Sequence, residues 1–76
     1  MKKRKTVFRR IAFNEVMNPE GQCLKQYVVE LTDGVVSSLY PLETELANTE
    51  WMQGRLILRK DSDNLVRAYY KDKPLT

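Results

Sequence analysis

The chain contains no histidine and only one cysteine, Cys23, among its 76 residues. The lack of histidine excludes a Ser-His-Asp or Cys-His catalytic arrangement and removes the commonest metal ligand of proteins. Cys23 alone cannot form an internal disulfide or a zinc site, and no histidine is present to activate it as a nucleophile. We therefore expect a protein that is not an enzyme and that has no catalytic residue, no metal and no cofactor.

Long hydrophobic runs are also missing. A membrane helix requires about 18 consecutive apolar residues, and no window of the sequence approaches that length. The N-terminus is basic like that of a signal peptide, but Val7-Phe8 leads directly into Arg9-Arg10, so the apolar region of such a peptide is absent. Small domains of oxidising compartments usually carry several disulfides, and a single cysteine favours the cytosol. We expect a cytoplasmic protein that does not interact with membranes.

Positive charge is concentrated at one end of the chain. The formal net charge is +3, yet the first ten residues hold six of the thirteen bases and none of the ten acids. We expect residues 1–5 to be a flexible basic start of a single small domain, 1–76. The first ten residues either pair with the acidic remainder of the chain, bind a polyanion or are a plain solubilising start. The possible polyanion contacts are Lys2, Lys3, Arg4, Lys5, Arg9 and Arg10.

Short runs of β-branched and aromatic residues alternate with turn signals along the chain. They predict strands over residues 5–13, 24–32, 35–42, 51–60 and 65–71, with a turn at 18–21 and a flexible tail at 72–76. For residues 41–49, a loop and one helical turn are both open. The pattern indicates an all-β fold: a small antiparallel sandwich or partly open barrel of about five strands, with two tight hairpins.

The first hairpin is predicted at Asp33-Gly34, a dipeptide suited to a two-residue type I′ turn. This turn makes Thr32 face Val35, and counting back pairs Leu31 with Val36, residue 29 with 38, and residue 27 with 40. The face with residues 27, 29, 31, 36, 38 and 40 is the more apolar and is expected to point into the core. The opposite face keeps Val28, Val35 and Leu39.

The second hairpin is predicted at Ser62-Asp63-Asn64, with Asn64 in the left-handed conformation. A three-residue loop aligns Leu58 with Ala68 and residue 56 with 70 on one face, and residues 57 with 69 and 59 with 67 on the other. Earlier in the same strand, Trp51 is expected to be a packing or edge residue, and Gly54 to relieve crowding or mark a bulge.

Acidic residues give only weak metal signals. Asp61, Asp63 and Asn64 are similar to the start of a calcium loop, but Val66 stands where the loop requires glycine. A hairpin turn accounts for all three residues. The three glutamates Glu43, Glu45 and Glu50 are most simply part of a solvated loop.

Residues 27–36 form a hairpin pattern, and residues 42–58 a polar loop followed by an apolar strand. These segments resemble the N-terminal part of the small accessory β-sandwich of metal-dependent amidohydrolases. The first is similar to its first hairpin, and the second to the loop and the strand that enters the catalytic barrel. In that family a Pro-Gly turn and a His-x-His metal pair follow, whereas here Leu58 is followed by residues 59–64 and a hairpin partner. The resemblance therefore implies a free-standing accessory domain that lacks the barrel, and it implies no activity.

A domain of this size cannot bury both faces of every strand, so some apolar surface is left for a partner. The leading interpretation is a non-catalytic module that binds another protein or forms a homodimer, with no small-molecule substrate. Its expected interaction face consists of Val28, Val35, Leu39, Ile57 and Tyr69. The alternative is a small β-barrel that binds nucleic acid through the basic N-terminus and the alternating residues Arg67, Tyr69 and Lys71.

Overall fold

Six strands make up the fold in the computed structural model, which describes residues 6–43 and 49–75. They are β1 (Phe8–Met17), β2 (Cys23–Thr32), β3 (Val35–Pro41), β4 (Glu50–Lys60), β5 (Val66–Tyr70) and β6 (Lys73–Pro74). The all-β class and the two tight hairpins are confirmed. The sequence leaves segment 41–49 open between a loop and a helical turn. Residue 41 ends β3, and residues 42, 43 and 49 lie in neither helix nor strand. Residues 44–48 fall outside the described ranges.

The strands form a closed five-stranded barrel, with β6 as an additional strand on β5. Their order is β3-β2-β1-β4-β5-β6, and a further pairing of β3 with β5, at Val35 and Arg67, closes the barrel. All neighbouring pairs are antiparallel except β1 and β4, which run parallel from Ile11 beside Glu50 to Met17 beside Ile57. Strand β1 therefore lies between the β2–β3 hairpin and the β4–β5 hairpin and joins them into one barrel.

Alternate residues of the strands fill the barrel, because successive side chains of a strand point to opposite faces. The buried core consists of Ile11, Phe13, Val16, Val29, Leu31, Leu56, Leu58 and Ala68. Phe13 is the largest of these side chains, and its ring centroid lies 5.8 Å from that of Tyr70 in a tilted arrangement. Half-buried residues, including Leu24, Val36 and Leu39, pack around this core.

Both predicted turns are present. Asp33 and Gly34 have φ angles of 51° and 82°, as the two positions of a type I′ turn require. In the second hairpin the Asp61 amide donates to the Leu65 carbonyl at 2.9 Å, and Asn64 has a φ of 63°. The predicted β4–β5 register, with residue 58 opposite 68 and 57 opposite 69, is confirmed along the strand.

The predicted β2–β3 register is correct only near the turn. Leu31 faces Val36 as expected, but Glu30 then faces Ser38, because Ser37 forms a bulge. One extra residue on β3 reverses the orientation of every side chain beyond it. Leu39 consequently faces Val29 and packs against the core, whereas Tyr40, expected inside, faces residue 28 on the outer surface.

A second irregularity lies at Gly54, where a bulge was one of the two roles expected from the sequence. The β1–β4 register shifts between Phe13 and Glu15, where β4 uses one residue more than β1. Gly54 has a φ of 101°, a conformation that side-chain-bearing residues rarely adopt. The Tyr70 hydroxyl donates to the Gln53 carbonyl at 2.6 Å and so ties β5 to the bulge.

Residues 73–75 of the tail expected at 72–76 take part in the sheet. Lys73 and Pro74 pair with Tyr70 and Tyr69, and the Leu75 amide donates to the Ala68 carbonyl at 2.9 Å. The half-buried Leu75 side chain packs against the core. Burial of Leu75 accounts for β6. The polar residues around Pro74 do not predict a strand there.

Candidate interaction surfaces

The interaction face expected from the sequence does not exist as one surface. Leu39 packs against the core, and Val28 lies on the outer face but is fully buried. The other three residues do lie near one another, because Val35 pairs with Arg67 at the barrel closure and Ile57 pairs with Tyr69. The bulge at Ser37 is the physical reason for the change, since it turns Leu39 inward.

The most exposed aromatic side chains lie on the outer face of β1 and β4. Trp51 is 60% exposed and Phe8 52%. Of the two roles expected for Trp51, a packing or an edge residue at the start of a strand, its exposure does not fit packing. Trp51 lies beside Ala12, which pairs in turn with Val28, and Val28 with Tyr40. We call this surface the Trp51 face; its members are Phe8, Arg10, Ala12, Val28, Tyr40 and Trp51.

A carboxylate neutralises the cation of the Trp51 face. Arg10 donates from Nε to Glu30 Oε2 at 2.9 Å, and the Tyr40 hydroxyl donates to the same oxygen. The hydrogen bond from Tyr40, followed by that from Arg10, lowers the pKa of Glu30 below its ordinary value, and the Glu30 bond raises the pKa of Tyr40. The Arg10 guanidinium also lies over the Phe8 ring, 5.7 Å from its centroid. The polar part of this face is thus internally paired.

Among the predicted polyanion contacts, the two that the structure describes both have acidic partners. Arg9 binds Glu50 with both Nε and Nη2, at 3.0 and 2.7 Å, at the start of β4. Arg10 binds Glu30 as described above. The other four, Lys2, Lys3, Arg4 and Lys5, lie outside the described residues, and their role stays a prediction.

A second surface, which we call the arginine face, lies on the outer side of β4 and β5. Its members are Arg55, Ile57 and Arg59 on β4 and Arg67 and Tyr69 on β5. Arg59 is directly opposite Arg67, and its guanidinium carbon lies 5.7 Å from the Tyr69 ring centroid. Arg67 donates to Asp61 at 2.8 Å, and Arg55 donates to Glu15 at 3.1 Å.

Lys71 does not continue the predicted alternation of Arg67 and Tyr69. Strand β5 ends at Tyr70, and Lys71 adopts a φ of 51° in the turn to β6. Its ammonium group lies 5.4 Å from the centroid of the Tyr70 ring instead. The residue that completes the cationic surface is Arg59, whose position opposite Arg67 was predicted although its part in the surface was not.

The acidic residues at the β4–β5 turn have structural partners. The Asp61 carboxylate accepts from the Asp63 and Leu65 amides and from Arg67. The bond from Arg67, followed by that from the Leu65 amide, lowers the pKa of Asp61. Within the part of the chain that the structure describes, no three His, Cys, Asp or Glu side chains gather into a group that could hold a metal ion.

No family model, curated protein or solved structure matches the chain. The resemblance to the accessory domain of amidohydrolases therefore stays a prediction. No helix within residues 6–43 and 49–75 is long and apolar enough to cross a membrane.

Proposed function

We propose that the chain is a non-catalytic binding domain of the cytosol that associates with a second copy of itself through the Trp51 face. The single observation that carries this proposal is the 60% exposure of Trp51 on a regular strand, beside a fully buried alanine. Tryptophan is among the residues that contribute most to protein interfaces, and a large exposed apolar side chain is costly to leave in water.

The charges of the face favour a second copy over a charged partner. Arg10 and Glu30 neutralise each other, so two such faces meet without repulsion between like charges. A polyanion, in contrast, must compete with Glu30 for Arg10. In a twofold dimer each Trp51 side chain packs against the same surface of the partner, which is the usual arrangement of homodimers.

The proposal that the domain is not an enzyme is supported by the full sequence, which lacks histidine. Cys23, the single thiol, is exposed and unpaired, in keeping with a reducing compartment.

The test uses the single tryptophan of the chain as its own probe. Sedimentation at micromolar concentrations should show a monomer–dimer equilibrium, and tryptophan emission should shift to shorter wavelength as the dimer forms. Trp51→Thr, which introduces a β-branched residue that favours the strand, should weaken association at least tenfold. Leu65→Thr is the matched control, because Leu65 is 40% exposed at the distant β4–β5 turn, and it should associate like the unmodified chain.

Two results would contradict the proposal. One is a chain that stays monomeric, with unshifted tryptophan emission, up to about 100 μM. A homodimer with a Kd of about 1 μM would be almost fully formed at that concentration. The other is a dimer that Trp51→Thr leaves unchanged, which would assign association to another surface.

A further inference from the structure

The arginine face places two cations where a sheet ordinarily avoids them. Arg59 and Arg67 are directly opposite each other on adjacent antiparallel strands. Side chains at such positions have Cβ atoms about 5 Å apart, and like charges there destabilise the sheet. An anion that lies close to both side chains offsets this repulsion.

Within residues 6–43 and 49–75, a carboxylate binds only one of the two arginines. Asp61 binds Arg67 at 2.8 Å, and this bond raises the pKa of Arg67. Among the described residues, no carboxylate forms an ion pair with Arg59. Arg59 instead lies over the Tyr69 ring, which holds the guanidinium group while its N–H groups stay free to bind a ligand.

The surface extends along β4 beyond this pair. Arg55 lies four residues before Arg59 on the same face, which separates the two by about 13 Å at 3.3 Å per residue. Between them, Ile57 and Tyr69 form a half-buried apolar and aromatic pair. The order along the surface is thus cation, apolar pair and cation.

We propose that the arginine face binds single-stranded nucleic acid. A phosphate group binds at Arg59, beside Arg67, and a base lies on Ile57 and Tyr69. A second phosphate group reaches Arg55 only in competition with Glu15, which accepts from Arg55 at 3.1 Å. Unstacked bases bind apolar and aromatic side chains with little dependence on sequence, and arginine matches the geometry of a phosphate group. A duplex does not present its bases to such a surface, so the single strand is the expected form.

The experiment measures binding of a fluorescein-labelled ten-nucleotide oligothymidine by fluorescence anisotropy at 50 and 200 mM salt. Arg59→Gln should weaken binding about tenfold and lower the slope of log K against log salt by about 1. Tyr69→Val, which keeps the strand and removes the ring, should weaken binding at least fivefold at both salt concentrations, because stacking is not screened. Lys25→Gln is the control for net charge: it removes one charge from a 75% exposed side chain on β2. Its partner Glu15 also binds Arg55, but Arg59 and Tyr69 are untouched, so affinity should change less than twofold.

Several outcomes would overturn the assignment. Equal weakening by Arg59→Gln and Lys25→Gln would show binding to net charge alone. Loss of binding on deletion of residues 2–5, with Arg59→Gln without effect, would assign binding to the basic N-terminus. A duplex or a phosphorylated peptide that binds as tightly as the oligothymidine would contradict the ligand class. Trp51→Thr should bind the oligothymidine normally, so this proposal and the dimer are tested separately.

Discussion

The substitution Gly54→Ala adds a single methyl group and tests whether the backbone conformation at the β4 bulge limits the stability of the barrel. It lies at the β4 bulge with a φ of 101°, between the Gln53 carbonyl that binds Tyr70 and the start of the buried part of β4. A Cβ added at Gly54 would lie 3.8 Å from Tyr70 Cε1, which is an ordinary contact. Any loss of stability in Gly54→Ala must therefore come from the backbone conformation rather than from a clash.

The expected loss is a difference of two terms. Holding an alanine in a sparsely populated backbone conformation costs about 1–3 kcal/mol. Alanine also restricts the unfolded chain, which returns about 0.4–1 kcal/mol. The net loss spans about 0–2.6 kcal/mol, with a midpoint of about 1.3 kcal/mol, out of a total of about 4–11 kcal/mol for a domain of this length. The variant stays folded, and its melting temperature falls by about 4–8 °C per kcal/mol.

Urea and thermal unfolding, followed by circular dichroism, measure this loss. Gly21→Ala serves as the comparison, since Gly21 has a φ of 90° in the β1–β2 turn and nothing within 4 Å of an added Cβ. If backbone conformation is the cause, the two variants should lose similar amounts. A Gly54→Ala protein as stable as the original, or a loss at Gly54 with none at Gly21, would refute the reasoning.

Two further predictions concern the end of the chain and acid. Deletion of residues 73–76 should lower the free energy of unfolding in urea by about 1–2 kcal/mol. The half-buried Leu75 side chain and its hydrogen bond to the Ala68 carbonyl are then lost. Unchanged stability would mean that the tail contributes nothing. Stability should also fall as the pH drops below about 4, the ordinary value for carboxyl groups. The folded-state pKa values of Glu30 and Asp61 are lowered, so their contribution is present above that value and is lost as they are protonated. A urea midpoint that stays constant from pH 6 to pH 2.5 would contradict this expectation.

The positions of both hairpin turns were predictable to the residue from their turn residues. Asn64 and the consistent pairing of apolar residues determine the β4–β5 register, and the structure reproduces it. In the β2–β3 hairpin the turn was equally clear, yet the register fails four residues later. Nothing in Ser37-Ser38 signals that β3 contains an extra residue, and the presence of that residue decides whether residue 39 or residue 40 points inward.

Long-range pairing was beyond local patterns. The parallel contact of β1 with β4 joins residues about 40 positions apart and involves no turn that a sequence motif could reveal. That contact, with the Ser37 bulge, determines the Trp51 face, because it brings residue 51 beside Ala12 and turns Tyr40 outward. The arginine face was partly accessible, since the predicted hairpin register already placed residue 59 opposite 67.

The closure of the barrel also has a consequence for amide hydrogen exchange. Strand β1 has a partner on each side, whereas the described residues of β3 meet β5 at one residue pair, Val35 with Arg67. Amides of Ile11 and Phe13 should therefore exchange only through global unfolding. Opening at Val35 separates β3 from β5 without disturbing β1, so β3 amides that face β5 should exchange through this smaller event. We therefore expect the slowest amide exchange in β1 and the fastest exchange within the barrel where β3 meets β5.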